Sequence, residues 1–228
     1  KLIAIDIDGT LLNSQHQLTE EVKIALKKAE EKGVKIVLCT GRPLTGVQSL
    51  IDELDLYGEN DYVVTYNGSL IQKTKTKEIV SKFELTYDDY LAIDTLARKL
   101  NVHLHTETAD TMYTSNRDIS RYTVLESFLV NMPLKYRTQE EMREELNIIK
   151  MMMIDDPEIL DRIQPLIPTE FFEQYTIVKS APHFLEFLNI KVDKGAAVKR
   201  LAEQLGIESS QVMALGDNEN DLPMIQYA

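Results

Sequence analysis

Cysteine is nearly missing from this chain. Cys39 is the single one in 228 residues, which excludes an internal disulfide and fits a reducing compartment. Basic residues are short as well: 25 Lys and Arg stand against 37 Asp and Glu, a formal net charge of −12. Phosphate backbones and anionic membranes select basic faces, so neither a nucleic-acid nor a membrane partner is expected, and nothing implies a protein partner. No apolar run reaches the length of a membrane span, and no signal peptide is expected before the first apolar stretch. No repeat or low-complexity segment interrupts the sequence. These absences leave a cytoplasmic globular protein as the expectation. A small phosphorylated substrate stays open, because a metal ion and one lysine reverse an acidic field locally.

What is present is a sheet rhythm. With 43% apolar and 27% charged residues, the chain can bury a substantial core. The apolar run from Lys1 ends in Asp6-Ile-Asp8-Gly9-Thr10, as a strand buried on both faces would. Thr19 opens a helix with a Val22, Ala25, Leu26, Ala29 stripe, and Gly33 closes it. A second strand, Val34 to Cys39, stops at Thr40-Gly41-Arg42; a helix starting at Pro43 follows, then a strand ending in Asn67-Gly68. Short links between such elements predict a doubly wound parallel sheet of Rossmann-like α/β type.

From Ser69 the rhythm breaks into a hairpin and then helices mixed with short alternating strands, an α+β layer over residues 83–189. It resumes at Val192 with a helix opening at Lys194-Gly195 and a strand ending in Gly216-Asp217-Asn218-Glu219-Asn220-Asp221. The expected core is therefore discontinuous, 1–82 with 190–228. The chain stops about one turn into a further helix, and further core strands are expected beyond it.

Ligands bind outside the carboxyl ends of strands in such sheets. Four strand ends supply Asp6 and Asp8, Thr40 and Gly41, Asn67, then Asp217, Asn220 and Asp221, and Lys194 joins from a helix start. Clustered carboxylates repel, so several must bind a metal or one must hold a proton. Oxygen-only donors with room for a phosphate suit Mg²⁺. Threonine, a glycine amide, lysine and asparagine suit a tetrahedral anion. The sum points to phosphoryl transfer through an aspartyl-phosphate. Arg42 either reaches substrate or braces the Thr40 loop, and Asn67-Gly68 either lines the pocket or simply turns the chain. His103 and His105 share a strand face with no third metal ligand in view.

Asp-Ile-Asp-Gly-Thr at 6–10, Thr-Gly-Arg at 40–42, Lys194-Gly195 and Gly-Asp-Asn-Glu-Asn-Asp at 216–221 resemble the four motifs of the haloacid-dehalogenase-like (HAD) phosphatases. Their order, and the insertion between the second and third, resemble the Cof-type sugar-phosphate phosphatases, in particular the YidA-like group. The resemblance implies a C2-type α+β cap over 83–189 and a Mg²⁺-dependent phosphoric monoester hydrolase. It implies Asp6 as nucleophile and metal ligand, and Asp8 as acid and base whose backbone carbonyl touches the metal. Thr40, Gly41 and Asn220 would hold phosphate oxygens, and Lys194 would neutralise Asp6 and phosphate. Asp217 would be the firm metal ligand, with Asp221 a ligand or a support behind it. A phosphomutase or phosphotransferase on the same scaffold is the near alternative. A non-catalytic phosphometabolite-binding protein is the distant one, disfavoured because binding needs no paired Asp6 and Asp8.

Overall fold

The structure, a computed structural model, describes residues 1–143 and 147–228. They form two compact units, 1–82 with 192–228, and 83–191. The first unit opens with β1 (Leu2–Ile5), α1 (Glu20–Glu31), β2 (Lys35–Cys39), α2 (Gln48–Glu53), β3 (Tyr62–Thr65), β4 (Leu70–Lys73) and β5 (Ile79–Lys82). The Thr19 hydroxyl caps α1 by accepting the Val22 N–H at 3.4 Å. Of the expected stripe only Leu26 is buried and Ala25 is exposed, so α1 rests on the sheet by a narrow contact. The second helix starts later than expected. Leu44–Gly46 form a 3₁₀ turn after Pro43 because Thr45-Gly46-Val47 are poor helix formers, and α2 begins only at Gln48.

The second unit runs α3 (Tyr87–Leu100), β6 (Leu104–Glu107), β7 (Met112–Thr114), α4 (Arg121–Leu129), β8 (Leu134–Tyr136), β9 (Lys150–Ile154), α5 (Pro157–Ile163), α6 (Thr169–Gln174), β10 (Tyr175–Ala181) and β11 (Phe184–Asn189). Its sheet has the order β10-β11-β9-β6-β7-β8, antiparallel except for β7 beside β8. Alternation along the strands sends Leu104, Met151, Met153, Leu185 and Phe187 to the face that α3 and α5 cover. The alternate positions carry His105, Glu107, Lys150 and Glu186, all buried. There Glu107 receives the His105 Nε2 contact at 3.0 Å and lies 3.4 Å from Lys150 Nζ. Burial works against the Glu107 charge, but these two neighbours outweigh it and hold its pKa below the ordinary value. Burial likewise opposes the Lys150 charge, and Glu107 and Glu186 more than offset it, so its pKa rises.

The chain returns with α7 (Lys194–Gln204), β12 (Val212–Leu215) and α8 (Leu222–Tyr227). The first unit's sheet is ordered β12-β1-β2-β3-β4-β5. Its first four strands are parallel, and the β4–β5 hairpin extends it antiparallel. Ile5, Ile36, Leu38 and Val63 face the α1 and α2 side; Leu2, Ala4, Val37, Cys39 and Val64 face α7 and α8. This is a three-layer α/β/α sandwich. Because β12, β1, β2 and β3 run the same way, their carboxyl ends share one edge.

Candidate active site

Asp6 ends β1, its N–H still donating to Leu215 O of the neighbouring strand at 2.9 Å. The chain then leaves the sheet through Gly9, at φ +87°. A Cβ on Gly9 would sit 2.4 Å from an Asp217 carboxylate oxygen, so only glycine lets this loop come so close. Thr10 fastens the approach by donating to Asp217 Oδ1 at 2.8 Å. Thr10 had no role in the sequence reading, although it stands in the first motif. Its hydroxyl, two residues past the Asp6-Ile-Asp8 carboxylates, is the signal that could have found it.

Lys194 is the first residue of α7, whose N-terminus the Asp193 carboxylate caps by accepting the Ala196 N–H at 2.7 Å. Its side chain is fully buried and donates to Asp6 Oδ1 at 2.5 Å and Asp221 Oδ1 at 2.6 Å. Burial pushes the Asp6 carboxyl up to about 6, and Lys194 only partly offsets this. Burial also opposes the lysine's own charge, but Asp6 and Asp221 outweigh it and raise the Lys194 pKa. The ammonium is thus firmly held, while Asp6 keeps a proton to higher pH than an exposed aspartate. Gly195 lets α7 meet α8, since a Cβ there would lie 2.3 Å from Pro223 O. We predict that Gly195→Ala costs about 1–3 kcal/mol, read as a lower urea midpoint at unchanged slope.

Asp6, Asp217 and Asp221 each offer an oxygen within 4.8 Å of the others. The three differ in freedom. Asp221 is fully buried, its Oδ2 taken by the Asp217 and Asn218 N–H groups at 3.1 Å each and its Oδ1 by Lys194. It is therefore engaged in shaping the 216–221 loop. Asp217 is exposed and receives only Thr10 among the described residues. Asp6 and Asp217 are the donors with lone pairs to spare, a hard-oxygen pair that fits Mg²⁺.

Beside them the β2 and β3 ends interlock. Thr40 is buried; its Oγ1 accepts the Arg42 N–H at 3.1 Å and its carbonyl accepts the Asn67 N–H at 2.9 Å. Asn67 adopts a left-handed conformation, φ +54°, and its Oδ1 accepts from Asn220 Nδ2 at 3.0 Å. A Cβ on Gly41 would come within 3.1 Å of Asn67 Nδ2, so glycine keeps that amide against the loop. Asn67 is thus more than a turn residue: its side chain brings Asn220 to the Thr40-Gly41 loop.

Asp8 stands apart. Its carboxylate is half exposed and lies in the fork of Arg42, with Nε to Oδ2 at 2.9 Å and Nη2 to Oδ1 at 2.5 Å. Arg42 Nη1 also donates to Gly46 O at 3.3 Å, so the arginine braces its loop and holds Asp8 at once. The structure therefore brings together Asp6, Lys194, Asp217 and Asp221, and separately Thr40, Gly41, Asn67 and Asn220. Asp8 and Arg42 form a third group, an ion pair. His103 and His105 do not converge: the first pairs with Asp155, the second with Glu107.

An α/β/α sandwich with buried carboxylates and a lysine at its parallel-strand edge defines a class of phosphoryl-handling proteins. The chain belongs to the haloacid dehalogenase-like hydrolase family, whose pattern matches residues 3–228. The resemblance carried by the four motifs is borne out. YxeH of Bacillus subtilis, provisionally named a phosphatase, is 51% identical over 228 residues, spanning 100% of this chain and 84% of its own. The 5-amino-6-(5-phospho-D-ribitylamino)uracil phosphatase YcsE of the same organism is 30% identical over 232 residues, 100% of this chain and 81% of its own. A haloacid dehalogenase-like hydrolase from Bacteroides thetaiotaomicron shares the fold with a TM-score of 0.86 at 28% identity, covering 100% of this chain and 85% of that one. No helix among the described residues is long and apolar enough to cross a membrane.

Proposed function

We propose that the protein is a Mg²⁺-dependent phosphatase of small phosphorylated metabolites, sugar phosphates among them, working through a phosphorylated Asp6. The observation that carries this is the buried Lys194 ammonium shared by Asp6 and Asp221, 2.5 and 2.6 Å away, at the edge where four parallel strands end. A carboxylate with its oxygen oriented by a fixed cation is a nucleophile that needs no further placing. Asp6 attacks phosphorus, the bond to the leaving oxygen breaks, and water later cleaves the acyl phosphate to return Asp6 and release phosphate. Thr40, Gly41 and Asn220 would receive the phosphate oxygens, a role supported by the Asn67 side chain, whose Oδ1 accepts from Asn220. Asp6 and Asp217, with the Asp8 carbonyl, would hold a Mg²⁺, which would supply the positive charge that a dianion needs beside these carboxylates.

Asp8 is the group assigned to give the leaving alkoxide its proton and to take one from water. Both its oxygens lie in the Arg42 fork, so it has to leave Arg42 before reaching a leaving group. Asp8→Asn should therefore slow alkyl phosphates by at least ~100-fold and leave a single-turnover burst of p-nitrophenol nearly intact, because p-nitrophenolate departs without a proton. Equal loss of burst and alkyl cleavage would remove Asp8 from this role. The reading as a whole is tested by phosphate release from a panel of sugar and alditol phosphates. Full turnover after exhaustive chelation with EDTA would overturn the Mg²⁺ requirement.

The second unit, residues 83–191, is the part we assign to choosing the organic portion of the substrate. The name of YcsE, a phosphatase of a phosphorylated ribityl compound, supports a polyhydroxylated metabolite.

A further inference from the structure

The second unit contains a cavity of about 750 Å³ where α3 and β9 end. Phe83 leads into α3 from the first unit, and the cavity begins with Arg98, near the helix's far end. Fourteen residues of helix span about 20 Å. β11, which carries the chain back toward residue 192, pairs antiparallel with β9, Phe184 beside Ile154, and so also ends away from Asp155. The cavity therefore lies within its own unit, beside the carboxyl ends of α3 and β9. None of its lining residues belongs to the site built on Asp6 and Lys194.

Its lining is held from behind, and the held groups leave donors unspent. Asp155, 7% exposed, accepts the Asp156 N–H at 2.9 Å on Oδ1 and the His103 N–H at 3.3 Å on Oδ2. The same Oδ2 takes the His103 ring through Nδ1 at 2.6 Å, leaving Nε2, a donor when the ring is an imidazolium, without a protein partner among the described residues. Arg98 is fixed by buried Asp94 through Nε at 2.7 Å and by Ser115 through Nη2 at 2.9 Å, which leaves Nη1. Asn116 spends its Oδ1 on the Leu104 N–H at 2.8 Å and the Thr114 hydroxyl at 3.3 Å, which leaves its amide N–H₂. Arg117 has no ion-pair or hydrogen-bond partner among the described residues. Three side chains whose other ends are locked, plus one free cation, present donors to one space. Two exposed carboxylates of the lining, Asp118 and Glu140, offer acceptors instead.

We propose that this cavity is a second, non-catalytic binding site for a small polyhydroxylated anion. The anionic group, a phosphate or a carboxylate, would be taken by His103, Arg98, Asn116 and Arg117, and the hydroxyls would donate to Asp118 and Glu140. The volume accommodates a ligand of sugar-phosphate size, within the range of ordinary metabolite pockets. Neutral sugars lack the group that the unspent donors match, and a bare polyanion would meet the two carboxylates.

The test reads the His103 ring directly. In the full chain carrying Asp6→Asn, which prevents turnover and leaves the cavity untouched, the His103 Cε1–H resonance is assigned by its loss in His103→Gln. Glucose 6-phosphate, gluconate and glucose are then titrated separately without added metal. We expect a saturable shift with at least one of the two anions below ~1 mM, and none with glucose. Exposed Arg117→Ala should weaken that binding at least ~10-fold while the resonance itself persists. Whichever anion binds identifies phosphate or carboxylate as the recognised group. A His103 signal unmoved by both anions at 10 mM, or moved equally by glucose, would overturn the proposal. So would equal affinity in Arg117→Ala.

Discussion

Asp6→Asn is expected to abolish turnover of every phosphate ester, lowering kcat by roughly 10⁴-fold or more, as loss of a covalent nucleophile does. The substitution is nearly isosteric and keeps an oxygen for Lys194, so the protein should remain folded. It should also change how stability depends on pH in metal-free solution. The folded-state pKa of Asp6 is raised from 3.8 to about 6 by burial. A raised carboxyl binds its proton more tightly folded than unfolded, so stability falls as pH rises through that interval. The wild-type protein in EDTA should lose on the order of 1–3 kcal/mol of this contribution between pH ~4 and ~6. Asp6→Asn should lack that slope. Urea midpoints across the interval decide it: parallel curves for the two proteins would mean that Asp6 is not the buried acid described here. Because a divalent cation competes with the same proton, added Mg²⁺ should stabilise wild type more at pH 7 than at pH 5, and Asp6→Asn little at either.

Most of the core was legible because its strands are buried on both faces and read as unbroken apolar runs ending at small or polar residues. Such ends announce a site edge, and Asp6, Thr40 and Asp217 fall there. The second unit was less legible where elements are short. β8, with three residues, shows no period, and α6 packs Phe171 and Phe172 into six residues that read equally well as loop. Pairings between elements were the least visible. Nothing in Thr-Gly-Arg tells that Arg42 would grip Asp8 across 34 positions rather than reach outward. Asn67 looked like half of a turn because Asn-Gly favours turns whatever its side chain does. Its hydrogen bond to Asn220 comes from 153 positions away, which no local pattern encodes.

Lys194→Met is expected to be the most destabilising single change in the site. The ammonium is fully buried, and both groups it serves, Asp6 and Asp221, are buried carboxylates. Removing it leaves two anions facing each other out of water, and breaking a buried pair in this way costs about 3–5 kcal/mol. Methionine fills much of the aliphatic volume, so the loss reports charge rather than a cavity. Because the cost is electrostatic, neutralising a partner should recover part of it. Asp6→Asn placed in the Lys194→Met background should be more stable than Lys194→Met alone, with a coupling of about 1–3 kcal/mol between the two positions. Asp221→Asn should recover less, because its Oδ2 also accepts the Asp217 and Asn218 N–H groups and an amide would satisfy only part of that demand. Equilibrium urea unfolding of the four proteins at pH 7 in EDTA measures the cycle. Additive losses, with no coupling between positions 6 and 194, would mean that Lys194 stabilises the fold by packing alone and that the ion pair at the strand edge contributes nothing to it.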